Sequence, residues 1–596
     1  MSVSSDMSEK EILNDFKENY GKIRKLLDEN SKNDPENEPY LSKYRAKNIL
    51  VGMSDRLKHL LNSNSSLDEI KLHAMLGTVL LNIGIIDMET EELTSSEKIL
   101  SEAVELLSPN SSKPEIIITL IKVYNNLGIL WSNREEPGKA KTYLLQAKEL
   151  YESFKCTMQL PLPIEQIVSP NGESPMGDIM LLEKAHTLTL YYLAQVYGSM
   201  KENLKSAVYC HVTLRRQLQY NDFEPIDWAL NSATLSQFFA EQNGFLQSRH
   251  HLAAASTILL QYEEKLRSAE SNDEEYLAKI ETFKHRSADV ARCWAKYCIL
   301  LMTASQERLM NDSEEVPEAI TDMSNLTLED NENICGGDIT KLTFPDLDVS
   351  MYESKIGDKF LLTYQDAREV FLSCQTWLDK AKEYYKLDTL ASDYIQLVRD
   401  SSQSYRYLAF FEEDEERRAK MYKRRIDMLE ELMKAINPVY YLQFCRQIWF
   451  ELGEVYSYIL NIKLDKLNKS GDKPTPHALK KINSLSEKSI ENYDSFLNSV
   501  KDKDGKIPTN LAYDMIRPVI TGYAYIGRNS MKRIALVKST QLKNMQKSFD
   551  CYQMVVDICT NNEEAAAMMQ MEFRLCQEMV NILPIKIKKL QMEVAE

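Results

Sequence analysis

Glycine and proline are scarce in this 596-residue chain, 18 of each, or about 3% apiece against a usual ~7% and ~5%. Few turn-formers in a long chain mean long elements with few connections. That suits helices, and no strand-like alternation of useful length occurs. The ten cysteines are scattered and form no Cys-x-x-Cys pair. Cys293 and Cys298, the nearest two, fall inside the helix-like run "VARCWAKYC". This excludes a disulfide or zinc framework and predicts free thiols in a reducing compartment. There is no basic excess: 72 Lys and Arg against 89 Asp and Glu leave a net charge of −17. Broad binding to nucleic acid or an anionic membrane is thereby disfavoured, whereas a partner with a basic surface would be steered toward this chain. The start, "MSVSSDMSEKEILNDF", has no basic segment followed by an apolar one, so no secretory signal is expected. No run of about 18 apolar residues is read as a membrane span, so a cytosolic or nuclear location is expected, and no strong nuclear import cluster stands out.

Catalytic signatures are missing too. The chain has no P-loop, GxGxxG, GxSxG or HExxH pattern. Its eight histidines are dispersed. The adjacent His250 and His251 would point about 100° apart on a helix, a poor metal pair. The reading is therefore of a protein that is not an enzyme, with no catalytic residue, cofactor site or metal ligand.

What is present is a repeat. The stretch "YNNLGILWSNREEPGKAKTYLLQAKELY" (124–151) sets small residues among large ones. Tyr124, Leu127, Gly128 and Trp131 share one face of a first helix, Pro137-Gly138 marks a break, and Ala140, Leu144 and Ala147 line a second helix. This is the tetratricopeptide pattern of small residues admitting close backbone approach beside large ones that fill the gaps. It recurs with Leu80, Ile83 and Gly84 followed by Ser96, Leu100 and Ala103. It recurs again with Leu190, Leu193, Ala194 and Tyr197 followed by Ser206, Cys210 and Thr213, and with Leu235, Ser236 and Phe239 followed by Ser248, Leu252 and Ala255. Far downstream, Trp449, Leu452, Gly453 and Tyr456 complete the first-helix signature. Such pairs cannot bury their faces alone and must stack. The expected fold is all-α: a tetratricopeptide-like α-solenoid of antiparallel helix pairs. The small positions 84, 128, 194 and 236 are not spaced by the regular repeat of about 34 residues, so the array is irregular.

Composition divides the chain. Residues 311–349 are acidic, Asn-rich and non-periodic, which predicts a flexible loop between an N-terminal half (1–310) and a C-terminal half (350–596). Residues 157–178 are Pro-rich and read as a loop ordered in part. "EEDEERRAKMYKRR" (412–425) reads as a solvated helix with i,i+4 ion pairs, with a basic patch at Lys423, Arg424 and Arg425 as the alternative. In tetratricopeptide arrays the concave groove is lined by first-helix residues turned away from the neighbouring helix. Here these are Lys122, Asn125 and Ile129, then Tyr191, Gln195 and Ser199, then Ala233, Gln237 and Glu241. A groove that clamps a carboxylate needs converging Lys or Arg, and only Lys122 is basic, so a chaperone-tail adaptor is the weaker reading.

Several segments resemble a known family. "ENEPYLSKY" (36–44), "NNLGILWSNREE" (125–136), "LYYLAQVY" (190–197), "NSATLSQFF" (231–239), "ARCWAKYC" (291–298), "ERRAKMYKRRIDMLE" (416–430) and "RQIWFELGEVY" (446–456) are similar to segments of the KIF-binding protein family. The similarity runs in order to "ILP" at 582–584, and 157–178 and 311–349 match poorly. The resemblance implies a right-handed helical solenoid that binds the motor domains of some kinesins and blocks their attachment to microtubules. It also implies a cytoplasmic, cytoskeleton-associated role in microtubule organisation, axon outgrowth and mitochondrial transport. The microtubule would be an indirect partner, with no nucleic acid, membrane insertion or cofactor. A general tetratricopeptide scaffold for chaperones or cargo is the alternative.

Overall fold

A computed structural model describes residues 9–62, 67–168, 175–268, 273–311, 342–470, 475–508 and 511–595. Every regular element among them is a helix. The chain forms two compact units, Met1–Phe238 with Pro317–Asp348, and Phe239–Val316 with Val349–Glu596.

The first unit contains α1 (Glu9–Asp28), α2 (Leu41–Leu61), α3 (Glu69–Glu89), α4 (Leu93–Leu107), α5 (Ile117–Asn133), α6 (Pro137–Cys156), α7 (Ile164–Val168), α8 (Pro175–Ser199), α9 (Asn203–Gln219) and most of α10 (Pro225–Glu241). The second contains α11 (Phe245–Ser268), α12 (Glu274–Met310), α13 (Ser350–Glu353), α14 (Tyr364–Tyr384), α15 (Ala391–Phe410), α16 (Glu415–Ala435), α17 (Leu442–Ser470), α18 (Pro476–Val500), α19 (Tyr513–Lys532), α20 (Lys538–Asn561), α21 (Glu563–Met568) and α22 (Gln570–Ala595). Neighbours in sequence pack as antiparallel pairs, α3 with α4, α5 with α6, α8 with α9, α17 with α18 and α19 with α20.

The division falls inside α10, not at the insert where composition placed it. Residues 312–341 of that insert lie outside the described residues. Its end, however, is core: Leu342 and Phe344 are buried, and the Phe344 ring lies 5.2 Å from Trp228 and 4.7 Å from His211. A segment that fills a core belongs to that unit. Likewise the Pro-rich 157–178 stretch contains α7, whose Ile164, Ile167 and Val168 are buried.

One docking device joins the pairs. A Cβ at Gly84 would stand 2.5 Å from Leu100, and one at Gly128 would stand 2.6 Å from Leu144. The second-helix leucine thus sits in the space that glycine leaves vacant. Twelve residues after the small position, a hydroxyl closes the contact: Ser96 donates to the Gly84 carbonyl at 2.7 Å and Ser206 to the Ala194 carbonyl at 2.8 Å. Ala140 holds the equivalent place in the α5–α6 pair and forgoes the bond. Ala147 does not assist Gly128, as the repeat pattern suggested. It packs instead with Ile121, Leu182 and Ala185. Leu127 packs back onto the α3–α4 core, while Trp131 packs forward with Leu144, Leu193, Ala194 and Tyr197.

The turns repeat as well. Glu91, Glu135, Lys201 and Asn243 all have positive φ, at 64°, 60°, 62° and 59°. Each lies seven residues after its small position, 84, 128, 194 or 236. After α5, the Glu135 amide donates to Ser132 at 3.0 Å and the Glu136 amide to Trp131 at 3.0 Å. The same two bonds end α3 and α8. This left-handed cap satisfies the last carbonyls and reverses the chain. Pro137 opens α6 at its first position, where its missing amide hydrogen costs nothing.

α3 is long and apolar enough by length and composition to cross a membrane, against the sequence expectation, and 67% of that window is buried inside the protein. Its apolar surface is used at the centre of the first unit, against α2, α4 and α5.

Candidate functional site

In the first unit, α8, α9 and α10 enclose a cavity of about 320 Å³ lined by Tyr191, Gln195, Cys210, Leu214, Thr234 and Phe238, among others. It draws on the first-helix faces of two successive repeats. Tyr191 and Gln195 line it, and both are exposed. Tyr191 is set edge-on to Tyr192 with ring centroids 5.2 Å apart. None of the lining side chains is charged, so the groove offers amides, hydroxyls and aromatic surface. Burial raises the Cys210 thiol above its ordinary value, which keeps it protonated and unreactive.

The other groove candidates divide. Ser199 is exposed, with its hydroxyl bonded to the Val196 carbonyl at 2.8 Å. Gln237 is half-buried, and Glu241 is exposed but paired with Lys296 at 2.8 Å. Lys122 is exposed and Ile129 half-buried. None of these five lines the cavity. Asn125 and Ala233 are buried and do not face a partner. Asn125 donates to the Ala185 carbonyl at 3.0 Å and accepts from the Thr189 hydroxyl at 2.8 Å, which clamps α5 to α8. Burial of such an amide is tolerable because both its polar ends are satisfied.

The second unit carries a cavity that sequence reasoning missed. It encloses about 590 Å³ between α15, α16, α17, α18 and α19 and is lined by Arg399, Arg406, Arg425 and Arg446 together with Glu451 and Glu454. Arg425, expected on a solvated helix or in an exposed patch, is 2% exposed. It donates to Glu451 at 2.7 Å and to the Ser402 hydroxyl at 3.2 Å, and Ser402 in turn donates to Glu451 at 2.6 Å. Arg399 is held by Gln447 at 2.5 Å, and Arg446 by Ser499 through its hydroxyl at 3.0 Å and its carbonyl at 2.5 Å. Arg446 is thus held by neutral acceptors, whereas Arg399 also lies 3.9 Å from Glu451. Burial raises the Glu454 carboxyl, and Arg406 and Arg425 oppose that shift. The signal in sequence was faint, because these arginines come from three helices.

The rest of the 412–425 run pairs across helices more than along its own. Glu416 bonds to Lys463 and Lys466, Glu415 bonds to Lys469, and Lys423–Asp427 is an i,i+4 pair. The Lys466 and Lys463 hydrogen bonds pull the Glu416 carboxyl down to about 2. The downstream repeat signature is structural: Leu452 and Tyr456 are buried, Trp449 is half-buried, and a Cβ at Gly453 would stand 2.8 Å from the Tyr493 ring. His250 and His251 are both buried and point apart, with ring planes at 82°. His250 meets Glu353 at 2.8 Å and His251 meets the Gln247 carbonyl at 2.7 Å. Among the described residues no three His, Cys, Asp or Glu side chains gather as a metal site would require. The nine described cysteines are free.

Comparison with known proteins places these features in a family. Residues 226–590 match the family model described as KIF-1 binding protein C terminal. A KIF-binding protein of Drosophila melanogaster is 36% identical over 593 residues, covering 98% of this chain and 98% of that protein. One of Gallus gallus is 37% identical over 583 residues, covering 96% and 97%. One of Homo sapiens is 33% identical over 599 residues, covering 94% and 95%. The all-α architecture of helix pairs, with its glycine-admitted contacts and left-handed turns, is therefore the framework of a chain that belongs to the KIF-binding protein family.

Proposed function

We propose that this protein is a non-enzymatic regulator that binds kinesin motor domains and controls their attachment to microtubules. The observation that carries this reading is the alignment of 98% of this chain with 98% of a relative named KIF-binding protein. Shared length at that level brings both units into the comparison rather than a single module. The physical features support a binding role. The helix pairs bury their inter-helix faces for stability, which leaves the surface between successive first helices for a partner. The α8–α9–α10 groove presents Tyr191 and Gln195 there, and tyrosine offers large contact area at low entropic cost. The net charge of −17 suits a motor surface that is itself basic because it meets acidic tubulin. The surroundings of the groove, rather than its neutral lining, would supply that attraction, and association would slow as salt rises. The organismal setting we assign is cytoplasmic and cytoskeletal, in microtubule organisation, axon outgrowth and mitochondrial transport.

The test is a pull-down of purified kinesin motor domains, paired with their microtubule-stimulated ATPase. The parent protein should bind a subset of motors and lower that ATPase, with no ATPase of its own. Gln195→Lys with Thr234→Lys puts two like charges into the groove facing a basic motor, at exposed sites that leave the fold intact. Binding should weaken by about tenfold, equivalent to ~1.4 kcal/mol. Unchanged affinity in the double variant rejects the groove as the contact. Absence of binding by the parent to any motor rejects the reading as a whole.

A further inference from the structure

We propose that the outward face of α22 is a self-association surface, on which a second copy of this chain docks α22 against α22 in antiparallel register. Met571, Leu575, Ile582, Ile585 and Met592 are 81%, 55%, 45%, 73% and 57% exposed. On an ideal helix they fall with Glu578 and Lys589 inside an arc of about 100°, which also takes in Arg574 and the Lys538-paired Glu593, and Pro584 lies within the helix at the middle of the stripe. The buried residues Cys576, Leu583, Ile587 and Leu590 occupy the opposite side, where α22 packs on α20. So the helix is apolar on two faces, and only one is used within the chain. α1, by contrast, carries no exposed large hydrophobic residue.

The spacing identifies the occupant. Residues 571, 575, 578, 582, 585, 589 and 592 follow steps of four and three, the seam of a two-helix coiled coil. Two positions in the seam are polar, Glu578 and Lys589, opposite in charge and both exposed. They stand symmetrically about the point between residues 583 and 584. A two-fold axis there sets Ile582 against the partner subunit's Ile585 and Leu575 against the partner subunit's Met592. The same axis sets Glu578 against Lys589 of the partner subunit, twice over. A parallel pair would instead put Glu578 against its own copy and Lys589 against its own copy, and like charges there are unfavourable. From 575 to 592 the seam is thus complementary to itself in one orientation, as a two-fold interface requires. A membrane or an unrelated helix would use the apolar residues but would not need a charge pattern with this symmetry.

The test is sedimentation equilibrium of the full chain across the micromolar range, with three variants. The parent should form a dimer. Ile585→Glu, at an exposed position, should raise the dimer dissociation constant by at least about 100-fold, since each dimer loses two buried isoleucines. Glu578→Lys should raise it by about tenfold, and Glu578→Lys with Lys589→Glu should return it to within about threefold of the parent. Circular dichroism and thermal melting of each variant at high dilution establish that the fold is kept. A parent that stays monomeric throughout overturns the proposal and leaves the stripe to another chain or a lipid surface. So does a dimer indifferent to Ile585→Glu. A dimer weakened by Ile585→Glu but not rescued by the charge exchange overturns the antiparallel register.

Discussion

Gly128 in the first unit and Gly453 in the second solve one problem with different neighbours. Each removes a side chain so that a large residue of the next helix can approach. At Gly128 that residue is Leu144, and at Gly453 it is Tyr493, buried and 40 residues on. The hydroxyl that closes the contact is also kept at longer range: Ser489 donates to the Gly453 carbonyl at 2.6 Å, and Ser548 to the Gly527 carbonyl at 2.9 Å. In the first unit the pair is short, the turn is three residues, and the filler is aliphatic. In the second, α17 and α18 run 29 and 25 residues and the filler is aromatic. What is common to both units is the contact, a vacant Cβ position and a large filler, with a hydroxyl on the carbonyl at Gly84, Gly453 and Gly527 but not at Gly128. The period is not, because helix length sets the period and docking does not depend on it.

The comparison can be broken most sharply at the two glycines. A leucine can change rotamer when a Cβ intrudes, whereas the Tyr493 ring has three atoms within 2.9 Å of that Cβ and no smaller shape to adopt. Gly453→Ala should destabilise by about 3 kcal/mol and Gly128→Ala by about 1 kcal/mol, after the helix-propensity gain of alanine. Urea midpoints of the two variants measure this. Equal losses would mean that the second unit yields as readily as the first, and the distinction between fillers would fall.

Next in size is acid sensitivity, which both units should share through buried neutral histidines. Burial holds His251 at about 3 in the second unit. In the first, burial reinforced by Arg216, Lys155 and Lys148 holds His186 well below the ordinary range, with its ring stacked 3.6 Å from Tyr151. An unfolded histidine titrates near ~6.5. Between that value and the lower folded one, the unfolded chain binds more protons, so stability is complete above pH ~6.5 and declines as pH falls. Each histidine contributes a slope of up to about 1.4 kcal/mol per pH unit. His251→Gln and His186→Gln should each flatten the pH dependence of unfolding between about pH 6 and pH 4. At the low end both units should lose further stability through lowered carboxylates: Glu183 in the first, held below the usual range against its burial by the Tyr151 hydrogen bond and the charge of Arg216, and Glu416 in the second, held down by Lys466 and Lys463. Variants with the parental slope would show that these rings already carry a proton in the fold.

The smallest effect is at the turns, and its sign should differ between units. Glu135 holds φ of 60° in the first unit and Gly505 holds φ of 72° in the second. A side chain in that conformation costs about 1 kcal/mol that glycine does not. Glu135→Gly should therefore stabilise by up to about 1 kcal/mol, and Gly505→Ala should destabilise by a similar amount. Differential scanning calorimetry resolves both, and a loss of stability in Glu135→Gly would show that the turn depends on the glutamate side chain.

The repeat positions were legible because they are local. A small residue must recur where two adjacent helices touch, and 84, 128, 194 and 236 announced themselves without any alignment. The left-handed residues seven positions later did not, since Glu91, Glu135, Lys201 and Asn243 share no side-chain chemistry and only the backbone is common to them. Tyr191 and Gln195 were placed on an open face by periodicity alone. Asn125, read from the same periodicity, is clamped by Thr189 of α8, 64 residues further on. A one-helix view cannot tell which side of α5 the later helix will cover. Arg425 misled for a related reason: its flanking charges read as solvated, and only α15 and α17 supply the Ser402 and Glu451 that make its burial tolerable.

The sequence by itself determined the helical class, through scarce turn-formers and 3.6-residue periodicity, and it determined the pairing of neighbouring helices, because those contacts lie within a few dozen residues. Tertiary structure alone decided that the compact units divide inside α10, that Phe344 of the acidic insert enters a core, that four arginines converge on one cavity, and which face of each helix is left open. Those outcomes depend on surfaces brought together from distant parts of the chain, where burial is set by what covers a residue and not by the residue itself.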